Sequence, residues 1–299
     1  MKIVACGITG LIGRPLTKAL SQKYDLVCLR RKRSSGDAVK LGQEVLWDPS
    51  QPGEWTREIE GAHAVINLSG EPIAGKRWSQ NQKKKLRESR VRTTQSIVDA
   101  IIQAKVRPKV LLNASAIGFY GARGNEILNE ESAGGSDFLS DVCAQWEKEA
   151  RRAESFGVRV VNLRTGIVLA REGGALAKMI APFRMFLGGP LGSGQQVMSW
   201  VHIEDEVGGI LKALEDNEIR GPLNLTAPNP VTMGEFARTL GRVMHRPSGL
   251  VVPGFVLKIL LGEMSMLLLT GQHAQPQKLT QRGFHFRHET LDHALRSLL

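Results

Sequence analysis

Short apolar runs alternate with amphipathic stretches along the first two thirds of the chain. The runs are rich in β-branched and aliphatic residues, which is typical of buried strands, and the stretches between them repeat apolar residues with helical spacing. This alternation predicts a parallel sheet with helices packed on both faces. The predicted strands are residues 1–6, 25–29, 44–47, 64–68, 110–114, 158–163 and 223–226.

The turn after the first predicted strand carries glycines at positions 7, 10 and 13, directly before a helical stretch. Gly7 permits a tight turn, Gly10 lets backbone N–H groups approach a diphosphate, and Gly13 lets the helix pack closely on the strand. Such a triplet between a strand and a helix predicts a dinucleotide-binding turn. The other predicted contacts within this turn are Thr9, Leu11 and Ile12.

The end of the second predicted strand indicates which dinucleotide binds. NAD enzymes usually place an acidic residue there, on the ribose hydroxyls, whereas this chain has four consecutive basic residues at 30–33. Because guanidinium groups pair with a 2′-phosphate in forked geometry, we expect NADP(H) to bind through Arg30 and Arg31. The alternative is a solvated basic loop without a ligand.

The pattern of the chain changes after Leu169. Glycines and prolines are frequent over 173–194, which is typical of loops, and helical spacing returns from Thr232 to a closing helix capped at Thr290. We therefore expect an α/β fold, a Rossmann-like doubly wound parallel sheet with a smaller, mainly helical C-terminal lobe. The expected division is an NADP-binding domain over 1–170, joined by 200–230, and a substrate-side lobe over 171–199 and 231–299.

Composition excludes several classes of protein. Of the 299 residues, 42% are hydrophobic, as in ordinary globular proteins, and no apolar run reaches the roughly 20 residues of a membrane span. The three cysteines lack metal-ligand spacing, so no metal site is expected. Because the chain begins with a strand and a glycine turn rather than a signal peptide, we expect a cytoplasmic protein without a membrane partner.

The net charge of +11 raises the question of a nucleic-acid partner. The densest basic run lies between Lys83 and Arg92, on a predicted helix whose apolar positions continue to Ile101. This pattern favours a solvated helix face, so no nucleic-acid partner is expected.

Several motifs together resemble an extended short-chain dehydrogenase/reductase. They are the glycine turn, 67–71 after the fourth strand, 113–121 at the fifth and 163–169 at the sixth. More particular segments resemble the YfcH-type epimerase family proteins, which are related to nucleotide-sugar epimerases, namely 188–194, 199–202, 261–264, 276–279 and 283–284. The resemblance implies a Rossmann-like NADP-binding domain, a C-terminal substrate lobe and an oxidoreductase or epimerase activity. The implied substrate is small and polar, with a nucleotide sugar as one candidate.

The resemblance also locates three catalytic positions, which lack the usual side chains. Extended members use a Tyr and a Lys four residues apart on the helix after the fifth strand, and a Ser or Thr at that strand's end. Here these positions hold Leu139, Cys143 and Ala116. Ser115 and Tyr120 are the predicted catalytic substitutes, and Tyr120 is equally expected as a packed aromatic residue. Two hypotheses therefore stay open: an enzyme with different acids and bases, or a non-catalytic NADP(H)-sensing or scaffolding protein, for example one linked to cell division.

Further cofactor contacts are expected beyond the strand ends. They are Asp48 near adenine, Leu68 and Ser69 along the adenosine ribose, Arg90 on the following helix, and the backbone at Val168 near the nicotinamide amide. Short-chain relatives often dimerise through helices that flank the sheet. Charged residues on the helix over 141–156 argue against a large apolar interface there, and a monomer is expected in preference to a homodimer.

Overall fold

The computed structural model describes residues 1–31 and 42–299, so that the basic residues Lys32 and Arg33 lie outside the described range. Within that range the strands are β1 (Lys2–Cys6), β2 (Asp25–Arg30), β3 (Gln43–Leu46), β4 (Ala64–Asn67), β5 (Val110–Ala116), β6 (Ile127–Leu128), β7 (Arg159–Thr165), β8 (Ile167–Leu169), β9 (Val197–Met198), β10 (Trp200–His202), β11 (Gly221–Leu225), β12 (Val231–Thr232) and β13 (His273–Ala274).

The helices of the described residues fall between and after these strands. They are α1 (Gly13–Leu20), α2 (Thr56–Ile59), α3 (Gln80–Gln103), α4 (Phe138–Arg151), α5 (Gly174–Arg184), α6 (Ile203–Glu215), α7 (Met233–Met244), α8 (Gly254–Leu261), α9 (Met266–Leu269), α10 (Gln277–Gln281) and α11 (Leu291–Leu298). Short 3₁₀ turns cover Ile117–Tyr120, Arg152–Phe156 and Gly262–Ser265. None of the helices in the described ranges is long and apolar enough to cross a membrane.

The central sheet confirms the predicted Rossmann-like fold. Its seven described strands are parallel and follow the order β11-β7-β5-β4-β1-β2-β3. The chain moves outward from β1 to β3 and then returns to build the other half from β4. The strand order therefore reverses between β1 and β4, and ligands of such sheets bind beyond the carboxyl ends of the strands at that point.

Helices cover both faces of this sheet. Ile3 and Val4 are successive residues of β1, both completely buried, and their side chains belong to the cores on opposite faces. One core lies beneath α6, where Ile210 is buried, and the other lies beneath α3, where Ile97 is buried. Burial on both faces explains why strands such as β1 and β4 carry uninterrupted apolar runs rather than alternating apolar and polar residues.

A third core lies among the later elements. It joins Trp200 of β10, Phe236 and Leu240 of α7, and Leu295 of α11. The indole nitrogen of Trp200 donates to the carbonyl of Asn229 at 3.1 Å, so this large buried side chain keeps its polar atom paired. The division into a nucleotide domain and a substrate lobe stays a prediction.

Candidate functional site

A cleft of 1180 Å³ opens at the carboxyl ends of β1, β2 and β4, where the strand order reverses. The loop after β3 and the side of α3 form its far walls. Seven of the predicted cofactor-binding residues line it, namely Gly7, Thr9, Gly10, Arg30, Arg31, Leu68 and Ser69. The fold therefore brings together residues from three separate stretches of sequence.

The floor of the cleft depends on glycines that cannot be replaced without strain. Gly7 has a φ of +74°, and a Cβ atom there would lie 2.4 Å from the carbonyl carbon of Leu68. A Cβ atom at Gly13 would lie 2.4 Å from the carbonyl oxygen of Gly7. The turn, the following helix and the loop after β4 therefore meet at backbone contact distance.

Helix α1 presents an uncapped N-terminus beside this turn. Ile12 occupies the N-cap position and provides no side-chain hydrogen bond, and the first turn of the helix has no acidic residue. Arg14 donates to the carbonyl of Thr9 at 3.1 Å and holds the turn against the helix. Because the first N–H groups of a helix carry a partial positive charge, this end is suited to a diphosphate.

Two arginines stand at the rim of the cleft where β2 ends. Arg30 is half-buried and forms an ion pair with Glu44 on the neighbouring strand β3. Arg31 is exposed and also lines the cleft. Of these two, Arg31 is the guanidinium that is more accessible to a phosphate entering from solvent.

Two tryptophans form the far end of the cleft. The rings of Trp47 and Trp55 meet edge to face, with centroids 5.8 Å apart and an interplanar angle of 61°. The indole nitrogen of Trp47 is buried and has no hydrogen-bond partner among the described residues. An apolar wall with one unpaired donor suits a flat heterocycle that carries acceptor atoms.

Asp48 organises the loop beside these rings rather than lining the cleft. Its carboxylate accepts hydrogen bonds from the backbone N–H of Ser50 at 2.8 Å and from the Ser50 hydroxyl at 2.7 Å. These bonds lower the pKa of Asp48. The adjoining residues Pro49 and Gln51 do line the cleft.

Arg90 braces the cleft wall from behind. Its guanidinium donates to the carbonyls of Leu86 and Glu71, each at 2.9 Å, and lies 5.3 Å from the centre of the Trp146 ring. Burial lowers the pKa of Arg90. Five other predicted positions also fall outside the lining of the cleft, namely Leu11, Ile12, Gly13, Asp48 and Val168.

Val168 lies on β8, beyond the end of β7. It is buried and pairs in register with Val201 of β10. Gly166, just before β8, donates its N–H to the carbonyl of Leu225. The segment after β7 is thus firmly held at the carboxyl edge of the sheet, and its contact with a nicotinamide stays a prediction.

Ser115 and Tyr120 belong to a buried hydrogen-bond network. The Ser115 hydroxyl donates to Glu147 at 2.7 Å. The Tyr120 hydroxyl donates to Asn224 at 2.7 Å and accepts from Arg164 at 3.0 Å. Tyr120 is completely buried, and burial raises its pKa. Neither side chain lines the cleft, and the catalytic roles predicted for them stay predictions.

The centre of this network is a buried ion pair between β7 and α4. Arg164 donates to Glu147 through Nε at 2.8 Å and Nη2 at 2.9 Å, and the two side chains are 4% and 2% exposed. The guanidinium also stacks on Phe119, 3.5 Å from the ring centre. A bidentate pair with this geometry fixes α4 against the sheet.

The positions that the resemblance assigns to a catalytic Tyr and Lys face the turn after β5. A Cβ atom at Gly118 would lie 3.5 Å from the Cβ of Leu139 and 4.0 Å from the Sγ of Cys143. Burial raises the pKa of Cys143 to about 12, so the thiol stays protonated at neutral pH. This wall offers no group for acid–base chemistry at neutral pH.

One buried glutamate near the carboxyl-terminal edge of the sheet is not among the residues that the sequence predicts for the site. Glu206, in the first turn of α6, is completely buried and accepts a hydrogen bond of 2.7 Å from the Thr165 hydroxyl at the end of β7. Burial raises its pKa from 4.5 to about 8. The signal for it in the sequence is an acidic residue next to Val207, in a stretch whose apolar residues recur with helical spacing.

The comparisons with known proteins agree with this geometry. Residues 3–225 match the model of the NAD dependent epimerase/dehydratase family, and residues 252–298 match a domain of unknown function, DUF1731. A nucleotide cleft on a parallel doubly wound sheet defines a dinucleotide-binding protein of the Rossmann type. The chain belongs to the NAD-dependent epimerase/dehydratase family.

Its relatives resemble it over nearly their whole length. The chloroplastic epimerase family protein SDR39U1 homolog of Arabidopsis thaliana is 42% identical, and the match covers 100% of this chain and 87% of the relative. Epimerase family protein YfhF of Bacillus subtilis is 39% identical, with coverage of 100% and 98%. The crystal structure of human epimerase family protein SDR39U1 with NADPH superposes with a TM-score of 0.90 at 33% identity, covering 100% of this chain and 99% of the human chain.

Proposed function

We propose that the protein is an NADP(H)-binding oxidoreductase or epimerase of the atypical short-chain dehydrogenase/reductase class, in the YfcH-type branch of its family. The observation that carries this proposal is the cleft that joins the glycine floor, the uncapped α1 and the Arg31 rim. The human relative of the same fold, solved with NADPH, supports it.

The shape and charge of the cleft fit this cofactor in three places. The turn from Gly7 to Gly13 and the N-terminus of α1 would hold the diphosphate. Trp47 and Trp55 would enclose the adenine end, and Arg31 would pair with the 2′-phosphate. The cofactor, when bound, supplies or accepts a hydride at its nicotinamide ring.

The substrate side of the proposal is a small polar molecule, with a nucleotide sugar as one candidate. It would bind between the carboxyl edge of β5 and β7 and the residues from Phe183 to Met198. Helix α5, which leads into this region, contacts the loop after β4, because Lys178 donates to the carbonyl of Ala74 at 3.0 Å.

We also propose that the protein acts in the cytoplasm as a monomer, without a nucleic-acid or membrane partner. The basic run of α3 supports the absence of a nucleic-acid partner, since part of its charge is neutralised within the chain. Acidic partners face three of its cations, in the pairs Lys83 with Glu263, Arg87 with Asp141, and Arg92 with Glu88.

The cofactor proposal is tested by titrating NADPH and NADH into wild-type protein and into Arg31→Ala by calorimetry. Loss of one charge-assisted phosphate contact costs about 1.5–3 kcal/mol, so the affinity for NADPH should fall roughly ten- to hundredfold. The affinity for NADH, which lacks the 2′-phosphate, should not change. Arg151→Ala is the matched control, because Arg151 is exposed at the C-terminal end of α4 and does not line the cleft.

Two results of this titration would contradict the proposal. Absence of binding by both nucleotides would exclude the cleft as a dinucleotide site. Equal affinity for NADPH and NADH in both proteins would show that Arg31 is solvated and does not pair with the 2′-phosphate. If NADPH is preferred, turnover with a panel of carbonyl compounds and nucleotide sugars then tests the enzymatic part.

A second candidate function is an NADP(H)-sensing or scaffolding protein, for example one linked to cell division. The observation that favours it is that Leu139 and Cys143, at the positions that the resemblance assigns to the catalytic Tyr and Lys, provide no acid or base at neutral pH. Such a protein would bind a partner differently with and without cofactor. Partner recovery in a pull-down that does not change between cofactor-free and NADPH-loaded protein would count against it.

A further inference from the structure

The carboxyl edge of β5 and β7 brings a hydroxyl next to the vacant serine position. In the parallel register of these strands, Ala116 pairs with Thr165. Directly paired residues of a parallel sheet point to the same face, so the side chain of Thr165 lies beside that of Ala116. Thr165 is only partly buried and is the last residue of β7.

The hydroxyl of Thr165 connects this edge to a buried carboxyl. It donates to Oε1 of Glu206 at 2.7 Å. Glu206 is 0% exposed, and its second oxygen has no hydrogen-bond partner among the described residues. A buried carboxylate with an unpaired oxygen would be costly, whereas a carboxylic acid in the same place is much less so.

The charged groups around Glu206 are occupied elsewhere. On its own helix, Asp205 accepts the backbone N–H groups of Arg287 and His288 at 2.8 and 2.9 Å, and Glu204 contacts the His288 ring. On β7, Arg164 points to the opposite face, where it pairs with Glu147.

His202 on β10 directly precedes α6; it accepts the backbone N–H of Glu204 at 3.1 Å and has a pKa lowered to about 4, mainly by burial. Burial is the main influence on Glu206 and raises its pKa to about 8, while the Thr165 hydrogen bond opposes this rise. Glu206 therefore carries a proton at neutral pH and can release it near neutral pH, as a general acid or base requires.

We propose that Thr165 and Glu206 form the proton relay of this site, with the Thr165 hydroxyl at the reacting oxygen and Glu206 as the proton store behind it. The relay lies at the carboxyl edge of the sheet, on the face opposite that of Leu139 and Cys143, because Arg164 faces α4 and Thr165 faces α6. The inference rests on the proposed binding of NADP(H).

The chemistry of the relay balances for the oxidation of an alcohol. The C–H bond of the alcohol carbon breaks, and its hydride passes to the oxidised nicotinamide. The alcohol proton passes to Oγ of Thr165 while the Thr165 hydroxyl proton passes to the carboxylate of Glu206. The products are a carbonyl compound, reduced cofactor and a protonated Glu206, and the reverse sequence reduces a carbonyl.

The test uses proton release on cofactor binding, which needs no substrate. The nicotinamide ring is positively charged in NADP⁺ and neutral in NADPH, so only NADP⁺ favours the ionised form of a nearby carboxyl. NADP⁺ and NADPH are titrated into weakly buffered protein with a pH indicator, between about pH 7 and about pH 9. Infrared spectra of the same samples record the C=O band of the protonated carboxyl.

In wild-type protein, NADP⁺ should release part of one proton per site and weaken the carboxyl band, and NADPH should do neither. In Glu206→Gln, the proton release and the change in the carboxyl band on NADP⁺ binding should both fall to the values seen with NADPH. In Thr165→Val the release should shift to higher pH, because the hydrogen bond that lowers the pKa of Glu206 is lost. Thr165→Ser, which retains the hydroxyl, should restore the wild-type midpoint.

Binding of both nucleotides without a difference in proton release would overturn the relay and leave the cofactor proposal intact. Proton release on NADP⁺ binding that persists in Glu206→Gln would overturn the relay as well. If Glu206→Gln does not fold, equal midpoints in Thr165→Val and Thr165→Ser would overturn it. Absence of binding by either nucleotide would overturn the cofactor proposal and this inference together.

Discussion

Burial changes the chemistry of single side chains in this protein more than charge pairing does. Glu206 and Cys143 both have pKa values raised by burial, to about 8 and about 12. A sequence reveals which residue type is present and, from periodicity, which face of a helix it occupies. It does not reveal whether a partner will neutralise a buried charge, because that partner comes from a distant segment.

Replacement of Glu206 should alter how stability depends on pH. In the folded protein its pKa is raised from 4.5 to about 8, so its contribution is fully present below about pH 4.5 and is lost as the pH rises to about 8. The free energy of unfolding of wild-type protein should therefore fall between about pH 5 and about pH 8 by at least about 1 kcal/mol more than that of Glu206→Gln, since one pKa unit corresponds to about 1.4 kcal/mol. Urea unfolding at both pH values measures this difference. An equal change in the free energy of unfolding of the two proteins would show that Glu206 is already ionised in the folded state.

The residues that line the cleft were the most predictable part of the candidate site. Gly7 and Arg31 are local features, since a strand, a turn and a helix follow one another along the chain and place them at the carboxyl edge. The partners of Tyr120 were not predictable in the same way. Its hydroxyl meets Asn224, which is 104 positions away, and only the assembled sheet brings the two together.

The main strands and helices follow directly from the hydrophobic pattern. Parallel strands buried on both faces carry uninterrupted apolar runs, and β1, β2, β4 and β5 each contain such a run. The strands β6, β8, β9, β10, β12 and β13 have only two or three residues each. Strands this short show no hydrophobic periodicity in the sequence, and their pairing is determined by the elements that pack around them.

The contact between α4 and β7 should depend strongly on one ion pair. Removing one partner of a buried pair leaves the other charge without compensation, which costs about 3–5 kcal/mol. We expect Glu147→Gln to lose stability in this range, because Arg164 is 4% exposed and depends on both carboxylate oxygens. Chemical denaturation measures the loss.

Glu149→Gln is the matched control on the same helix, since Glu149 pairs with the more exposed Arg152. Its loss should stay within about 1 kcal/mol. Equal losses in the two variants would show that the buried pair has no special role in fixing α4.

In the whole molecule, the reversal of strand order between β1 and β4 determines where the cleft lies, and the later elements cover the other half of the carboxyl edge of the sheet.

The polar faces of the helices that flank the sheet indicate the oligomeric state. On α4, Asp141 pairs with Arg87, and Arg152 pairs with both Asp99 and Glu149. Such faces are satisfied within one chain and do not form the apolar core typical of a homodimer interface.

We therefore predict a monomer in solution. Sedimentation velocity over a hundredfold range of protein concentration should give one species near the chain mass of 32.8 kDa. A species of twice this mass that persists on dilution would contradict the prediction and would require an interface away from these helix faces.

Binding of the dinucleotide in the cleft at the glycine turn is tested by a matched pair of glycine variants. Gly7 and Gly61 have similar φ values of +74° and +66°. A Cβ atom at Gly7 would collide with Leu68 in the cleft floor, whereas one at Gly61 would have no atom within 4 Å. Both replacements by Ala carry the backbone strain of about 1–2 kcal/mol, so only the collision distinguishes them.

The measurement is NADPH affinity by calorimetry for wild-type, Gly7→Ala and Gly61→Ala proteins that remain folded. Gly7→Ala should weaken NADPH binding at least about tenfold, or about 1.4 kcal/mol, and Gly61→Ala should bind NADPH as wild type does. Unchanged affinity in Gly7→Ala would contradict this prediction, because NADPH would then bind somewhere other than this turn.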